Sequence, residues 1–408
     1  VLGEMKRRIL MITYSLGGGG AERTLLTLAQ NLHTCEVKMV SFIPRVEYAL
    51  EGVDVETIGV DVVGKKRVAA RVLAVADACI ALARVKREFQ ADVALSFGFW
   101  ANVCNVLSRQ NERVVLSVRN NLKVLFAQDR FGAFYENIVR LVYPTADHVV
   151  SLSRGVGRML ASRYGLEPRH VNVIYNPVDA ERMTRLSEQP VSWSPALEQG
   201  PFIVSVGRFV QQKGHWHLLR VFAAMRSAGS DARLVILGQG AYLDMLLELA
   251  NGLGLRVSER LEDDADVYLP GFVANPYVFM RRARVFAFPS LWEGLGNSLV
   301  EAMAVGAFVC AADCDHGPHE LVAGEDDPRV SSGTFSPTPY GILAPTLDGV
   351  HHDADVPLTR SESAWQRALE HALTLSDEER RATCARAQSR VHDVFALERI
   401  IDQWRRVL

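Results

Sequence analysis

A chain of 408 residues, 49% hydrophobic and 23% charged, has the size of two globular domains and a composition unlike that of a disordered or fibrous protein. No apolar run approaches the ~18–20 residues of a bilayer-crossing helix, and the short apolar segment after Met5-Lys6-Arg7-Arg8 lacks a signal-peptide cleavage site, so the expectation is a cytoplasmic protein without leader or span. The formal net charge of −2 conceals an asymmetry: residues 1–177 carry 23 basic against 16 acidic side chains (+7) and the remainder 22 against 31 (−9), which bears on partners rather than on fold. The six cysteines, at 35, 79, 104, 310, 314 and 384, show neither a C-x-x-C pair nor zinc spacing and read as reduced thiols.

Residues 9–14 form an apolar run of strand length, followed by a loop containing Gly17, Gly18, Gly19 and Gly20 and an apolar-periodic helix from about Arg23. Strand, glycine loop and helix start make a phosphate cradle. The spacing is not G-x-G-x-x-G, and no acidic residue closes a clear second strand, which argues against a nicotinamide dehydrogenase. Strands at 36–42 and 53–58, a long amphipathic helix over 65–89 and strands at 93–97 and 114–118 follow. A strand at 147–152, a helix at 153–164 and a strand at 171–179 complete this half. Repeated βα units imply a doubly wound parallel sheet that binds ligands at the carboxyl ends of its strands.

Lys65, Lys66, Arg67, Arg71, Arg84, Lys86 and Arg87 gather at the ends of the long helix, as a solvated face or as a patch for anionic lipid headgroups. Nucleic acid is not expected, because no aromatic residues interleave with these charges. Arg119 stands at a strand's carboxyl end; it donates only and keeps its charge, so it suits an anionic ligand group such as a phosphate and not a general-base role. The plainer reading is that Arg119 pins its own loop through Asn120 and Asn121.

Residues 188–201 hold three prolines, two serines and a glycine without periodicity, the composition of a linker. The βα pattern restarts at 202–206. Arg208 and Lys213, five residues apart on the loop after that strand, can grip a pyrophosphate from both sides. A strand and glycine turn at 233–240 and a strand at 267–273 bracket Asp264-Ala265-Asp266, formally a D-x-D but read here as a solvated charge run. The strand at 284–288 ends at Pro289-Ser290, and Gly294 and Gly296 make a turn where backbone can approach a ligand. Asn297 or Ser298 then caps a helix, with Glu293 before it and Glu301 in its first turn. A helix start suits a phosphate, and a carboxylate one turn in can accept hydrogen bonds from a ribose diol. Equally, Ser298 and Glu301 can form a capping box that only satisfies backbone donors. His316 and His319 lack metal-ligand spacing. Residues 322–340 read as a mobile insertion, and 395–408 as an amphipathic helix with Phe395, Ile400, Ile401 and Trp404 on its apolar side.

The frame P-S-x-x-E-G…E-A-M-A-x-G over 289–306, with its two glutamates eight positions apart, resembles the signature of family 4 retaining glycosyltransferases. The likeness extends along the chain. Gly19, Gly20 and Glu22 match that family's GG-x-E loop, 171–179 its domain-closing strand, Gly207-Arg208 and Lys213-Gly214 its GR-x(4)-KG, and Asp313, Gly317, Pro318 and Glu320 its D-x-x-x-GP-x-E. One departure is Arg119: many members have a histidine near the reacting carbon there, whereas this chain is similar to a subgroup reading S-x-R-N, so no catalytic histidine is carried over.

The resemblance implies an α/β GT-B architecture, two Rossmann-like doubly wound domains facing across a cleft: an acceptor-side domain at 1–187, a linker at 188–201, a nucleotide-sugar domain at 202–390 and a helix at 391–408 crossing back. It implies metal-independent retaining transfer, with no cofactor, from a nucleotide diphosphate sugar, expected to be UDP-linked, to a hydroxyl of an envelope glycan or lipid-linked acceptor. Gly19 and Gly20 would let backbone approach donor phosphate and acceptor. Arg208, Lys213 and the helix start at Asn297, Ser298 and Leu299 would stabilise the departing diphosphate. Glu301 would hold the ribose, Glu293 the sugar hydroxyls aided by backbone of Gly294, Leu295, Gly296 and Asn297, and backbone near Phe272 and Val273 would face the base. The implied setting is cytoplasmic, peripheral on the membrane face, with the basic first domain towards anionic lipid. A different GT-B activity, such as an epimerase or phosphorylase, and a non-enzymatic nucleotide-sugar binding subunit are the alternatives; the presence of Arg208, Lys213 and Glu301 speaks against the latter.

Overall fold

Short runs such as VALSF and VFAF are buried at every position because parallel strands are covered on both faces. The computed structural model describes residues 6–408 apart from Gly18, 47–51, Lys66, Gln128, Ser194 and 325–327. Two compact units result: Val1–Pro177 together with Leu397–Leu408, and Val178–Ala396.

In the first unit β1 (Arg8–Thr13), β2 (Glu36–Ser41), β3 (Asp54–Thr57), β4 (Val93–Phe97), β5 (Arg113–Val118), β6 (His148–Ser151) and β7 (Val171–Val173) lie in the order β3-β2-β1-β4-β5-β6-β7. All pairs are parallel, with Ile9 opposite Val93 in the central one. The strand order reverses between β1 and β4, so the glycine loop after β1 sits at the topological switch point. One face of the sheet packs on the helices Gly20–Asn31 and Leu397–Val407, whose Leu25, Leu28, Ile400 and Trp404 join Ile9, Met11 and Leu95 in one core. The other face carries the helices Val68–Phe89, Phe99–Leu107 and Gly132–Val142. Ala74, Ala78, Leu82 and Val85 recur at helical spacing and bury the first of these against Leu10, Ile12 and Ala94.

That helix breaks up the expected basic cluster. Lys86 is buried, its Nζ 2.8 Å from Glu112 Oε1 and 2.7 Å from Asn105 O, and burial lowers its pKa. Arg71 donates to the Tyr135 hydroxyl and to Lys65 O. Lys66 lies outside the described residues.

In the second unit β8 (Phe202–Val206), β9 (Arg233–Leu237), β10 (Val257–Ser258), β11 (Val267–Tyr268), β12 (Val285–Phe288), β13 (Val309–Ala312), β14 (Ser336–Thr338) and β15 (Gly341–Ala344) run in the order β10-β11-β9-β8-β12-β13-β15-β14. Only the edge strand β14 is antiparallel. The expected strand at 267–273 stops at Tyr268, ahead of Pro270 and Gly271.

The units divide ten residues before the expected boundary. The helix Ala180–Ser187 belongs to the second unit, where Asn275 Nδ2 donates to Leu186 O at 2.8 Å and Arg281 lies 3.5 Å from Glu188. The expected linker is packed: Trp193 sits against the Phe202 and Phe279 rings at 5.6 and 4.7 Å, and Pro195–Gln199 is a short helix. The return to the first unit begins at Leu397 and not at 391; Phe395 stays with the second unit, where its carbonyl accepts from Val178 N at 2.8 Å. Of the expected mobile insertion, 336–338 form β14 and Thr338 Oγ1 donates to Val322 O, while 325–327 lie outside the described residues. All six cysteines are free thiols. Among the described residues no helix is long and apolar enough to cross a membrane.

Candidate active site

Four segments of the second unit meet at the carboxyl ends of β8, β12 and β13. After β8 the chain makes a single turn, Gln211–Lys213, and reverses at Gly214 into the helix His215–Ser227. Gly214 has φ +61°, and a Cβ there would lie 2.4 Å from Pro289 O, so only glycine lets this turn press against the end of β12. Gln212 O accepts from Leu291 N at 2.8 Å, fixing the two loops together.

Lys213 and Glu293 are thereby joined, with Nζ 2.6 Å from Oε1. The other carboxylate oxygen accepts from Gln212 Nε2 at 3.2 Å, and the same amide reaches Trp292 O at 2.9 Å. Lys213 Nζ also lies 5.0 Å from the Phe288 ring centre. Glu293 is buried, so this is a shielded pair in which each charge offsets the other. Arg208 differs. It is exposed and makes no side-chain hydrogen bond or ion pair among the described residues. Of the two expected phosphate-gripping cations, one is held by an acid and the other is uncommitted.

The helix Asn297–Ala304 begins without a side-chain cap, because its N-cap is Gly296 at φ +100°. Neither Asn297 nor Ser298 takes the expected capping role; Ser298 Oγ donates to Val206 O at 3.1 Å and ties the helix to the end of β8. The Ser298–Glu301 capping box is therefore not formed. Glu301 is the fifth residue of the helix, one position past the expected first turn, and is half-buried. Leu295 and Leu299 are buried, so they can offer a ligand only backbone, as Gly294 and Gly296 do. The loop after β13 closes on this turn through Gly317, at φ +38°, where a Cβ would fall 2.0 Å from Leu295 O. Its Cys314 thiol is raised well above its ordinary pKa, first by burial and then by the nearby Glu293 carboxylate.

Asp313, at the head of that loop, accepts from His319 Nδ1 at 2.8 Å, Arg329 at 2.6 Å and Val330 N at 2.6 Å. Burial alone would raise its pKa; these donors outweigh it and leave it lowered. Val273 is half-buried beside exposed Phe272, and Gly271 O accepts from Gly238 N at 2.9 Å, which sets 271–273 next to the glycine turn after β9. Half of the D-x-D fits the expected solvated run: Asp264 is exposed, as Glu262 and Asp263 are, whereas Asp266 is buried. Asp264 lies 3.1 Å from Arg256 and 3.4 Å from Arg233, and Asp266 lies 3.0 Å from Arg226 and 3.2 Å from Arg256. Among the described residues no group of three or more His, Cys, Asp or Glu is arranged to hold a metal.

The remaining candidates belong to the first unit. Gly19 is the N-cap of Gly20–Asn31, and a Cβ on it would lie 2.2 Å from Glu22 Oε2. Arg119 is only 5% exposed and not open at a strand end as expected. Its guanidinium lies 5.0 Å from the Phe97 ring, donates to Asn176 Oδ1 and reaches Ile174 O at 3.5 Å, while Nε has no partner among the described residues. Burial pulls its pKa from 12.5 down to about 9, which leaves it cationic at neutral pH. The pinning through Asn120 and Asn121 does not occur; Asn121 instead accepts from Val124 N at 3.3 Å. Asn176 Oδ1 also accepts from Thr24 Oγ1 at 2.8 Å, and that hydroxyl lies 3.0 Å from Gly20 O. A polar chain thus runs from Arg119 to the first turn of the glycine-loop helix. Sequence reasoning missed Gln212, Thr24 and Asn176; Gln212 lies between the two motif cations, the one available signal.

Residues 18–182 match the family described as Glycosyltransferase Family 4, and residues 192–335 match Glycosyl transferases group 1, so that together the two span most of the chain. The chain is a family 4 glycosyltransferase. Relatives of this glycosyltransferase include an uncharacterized glycosyltransferase of Methanocaldococcus jannaschii, 26% identical over 79% of this chain and 80% of that one. Another is the N-acetylgalactosamine-N,N'-diacetylbacillosaminyl-diphospho-undecaprenol 4-alpha-N-acetylgalactosaminyltransferase of Campylobacter jejuni, 27% identical over 79% of this chain and 84% of that one. HepE of Anabaena, solved in complex with UDP, superposes with a TM-score of 0.69 at 20% identity over 99% of both chains. The two parallel-sheet units of this glycosyltransferase are those of the GT-B fold.

Proposed function

We propose that this glycosyltransferase moves a hexosyl or N-acetylhexosaminyl group from a UDP-linked donor to a hydroxyl of a lipid-linked glycan, with retained anomeric configuration and without a metal or other cofactor. The observation that carries the reading is the Lys213–Glu293 pair beside a helix start whose N-cap is a glycine. An arriving diphosphate takes over Lys213, joined by exposed Arg208 and the backbone at Asn297, Ser298 and Leu299. These groups stabilise the negative charge that grows on the leaving diphosphate. Glu293, released from its cation, accepts hydrogen bonds from the transferred sugar, with backbone of Gly294, Leu295 and Gly296 beside it. Glu301 holds the ribose and backbone at Val273 faces the base.

Cations stand where other transferases use a metal, since the arginines around Asp264 and Asp266 already neutralise those carboxylates. In the first unit Gly19 and Gly20 let backbone approach donor phosphate and acceptor. Arg119 acts on them through Asn176 and Thr24, as a positioning residue. UDP in the HepE structure and the diphospho-undecaprenol acceptor in the Campylobacter enzyme's name support the donor and acceptor classes. A lipid-linked acceptor places the enzyme peripherally at the cytoplasmic membrane face.

A thermal-shift panel of nucleoside diphosphates tests the donor site, since a ligand at ~100 times its Kd stabilises by about 2.7 kcal/mol. UDP should raise the Tm most, and sugar transfer to a polyprenyl-diphosphate glycan should survive exhaustive chelation. Stabilisation by no nucleotide, or a requirement for Mg²⁺ or Mn²⁺, overturns the reading. Free sugar and UDP released without acceptor would point to an epimerase instead.

A further inference from the structure

The six thiols of this protein differ in what surrounds them. Cys310, Cys314 and Cys384 are buried in the core of the second unit. Cys35, half-buried, packs on the face of the first sheet that also holds Ile9 and Trp404. Cys79 and Cys104 lie together on the opposite face, in the core that contains Leu10, Ile12 and Ala94. Cys79 is half-buried on the helix Val68–Phe89, and Cys104 is fully buried on the helix Phe99–Leu107. The Cys79 Sγ stands 4.0 Å from Cys104 O, and the Cys104 thiol hydrogen-bonds the Cys79 sulfur. One thiol of the pair therefore meets solvent while the other lies directly behind it.

The surrounding charges favour a thiolate at the accessible position. The Cys79 pKa is lowered by the hydrogen bond from Cys104 and by the Lys86 ammonium, against the opposing effect of burial. Lys86 stands seven residues on, about two turns along the same helix. Its Nζ is fixed there, 2.8 Å from Glu112 Oε1 and 2.7 Å from the carbonyl of Asn105, the residue after Cys104. Cys104 is pushed the other way, first by its hydrogen bond to Cys79 and then by burial, and keeps its proton. An accessible thiolate beside a buried second thiol has the makings of a nucleophile and its resolving partner.

We propose that Cys79 and Cys104 are a peroxide-reactive pair that closes into a disulfide. The Cys79 thiolate attacks one peroxide oxygen: an S–O bond forms, the O–O bond breaks, and the released hydroxide takes up a proton and leaves as water. The Cys104 sulfur, giving up its proton, then attacks the sulfenic sulfur; the S–S bond forms, the S–O bond breaks and a second water leaves. The two thiols together lose two electrons, and one peroxide becomes two waters. The new bond ties two helices on the same sheet face and closes a loop spanning 25 residues. None of this depends on the functional reading above.

Peptide mapping of the folded protein after hydrogen peroxide treatment tests it. The free thiols of Cys79 and Cys104 should be lost together into one linkage that dithiothreitol reverses, with Cys310, Cys314 and Cys384 still reduced. Cys35, also half-buried, is the internal control and should react more slowly. Cys104→Ala should stop at a sulfenic acid on Cys79, trapped by dimedone, and Cys79→Ala should leave Cys104 reduced. The mapping of the parent protein needs neither variant to fold. A Cys79 that stays reduced while Cys35 is oxidised overturns the proposal, as does a Cys79 linked to Cys35 or to a second chain. Equal yield of the same linkage in urea-unfolded protein does so too, because the fold would then have no part in pairing the thiols.

Discussion

Lys213→Ala tests the centre of the proposed site, and two costs must be separated. The ammonium lies 2.6 Å from the Glu293 carboxylate, with side chains 15% and 8% exposed, so its removal leaves a shielded carboxylate held by Gln212 alone. Breaking a fully buried pair costs about 3–5 kcal/mol; the surviving amide bond and the partial exposure bring this to about 2–3 kcal/mol of stability. Independently, loss of one charge contact to the leaving diphosphate should lower kcat on the order of a hundredfold, about 2.7 kcal/mol. The double variant Lys213→Ala/Glu293→Gln distinguishes them, because a neutral amide no longer needs the cation. Its Tm should return most of the way to the parent value while kcat, measured as UDP release at saturating donor, stays low. A double variant that recovers both would mean that the pair only props the loop, and the assignment of Lys213 to the diphosphate would be wrong.

Glu301→Gln should raise the Kd for UDP on the order of tenfold by calorimetry with little change in Tm, as for weakening a charged hydrogen bond to a diol. Gly214→Ala forces a side chain into φ +61° and against Pro289 O, and should cost about 2 kcal/mol, read as a Tm lower by about 4–8 °C. Burial would raise the Glu362 pKa, but hydrogen bonds from His217, Arg220 and Thr359 N hold it down to about 2 from its usual 4.5. Its stabilisation is thus full above pH 4.5 and lost as pH falls through about 2, so the Tm gap between parent and Glu362→Gln should be constant above that window and close within it. Arg119→Ala should lower acceptor kcat/KM more than donor affinity, with Arg119→Lys between and Asn176→Ala reproducing the defect; an Arg119→Ala variant that loses stability alone would leave it no part in turnover.

The βα alternation was legible because buried parallel strands read as unbroken apolar runs. The strand at 93–97 falls where it was expected, and the helix expected from 65 begins at Val68. Composition misplaced the domain boundary because the proline-rich stretch contains Trp193, whose packing on Phe202 and Phe279 outweighs its polar neighbours. Partnerships across the fold could not be read. Lys213 and Glu293 are eighty residues apart, and Asp266 reads as solvated because Arg226 and Arg256, which enclose it, come from other segments. Ser298 carried every local mark of a cap, yet Val206 O competes for its hydroxyl and Gly296 takes the cap position. Arg119 reads as an open ligand-facing group because a strand end gives no hint of the aromatic ring and the asparagine that enclose it.

The helix Leu397–Val407 imposes an order on synthesis. It lies on the same face as Ile9, Met11 and Leu95, so the first unit cannot be completed while the ribosome is still making the second. Through that interval the part of the sheet face that Gly20–Asn31 does not cover stays open, which exposes the nascent chain to aggregation and makes chaperone capture useful. A fragment ending at Pro177 inherits the same open face permanently. Arg7 donates to Leu408 O at 2.8 Å, so the start of β1 and the end of this helix are neighbours, and a permuted gene that places 397–408 ahead of Lys6 would let the first unit fold before the second is translated.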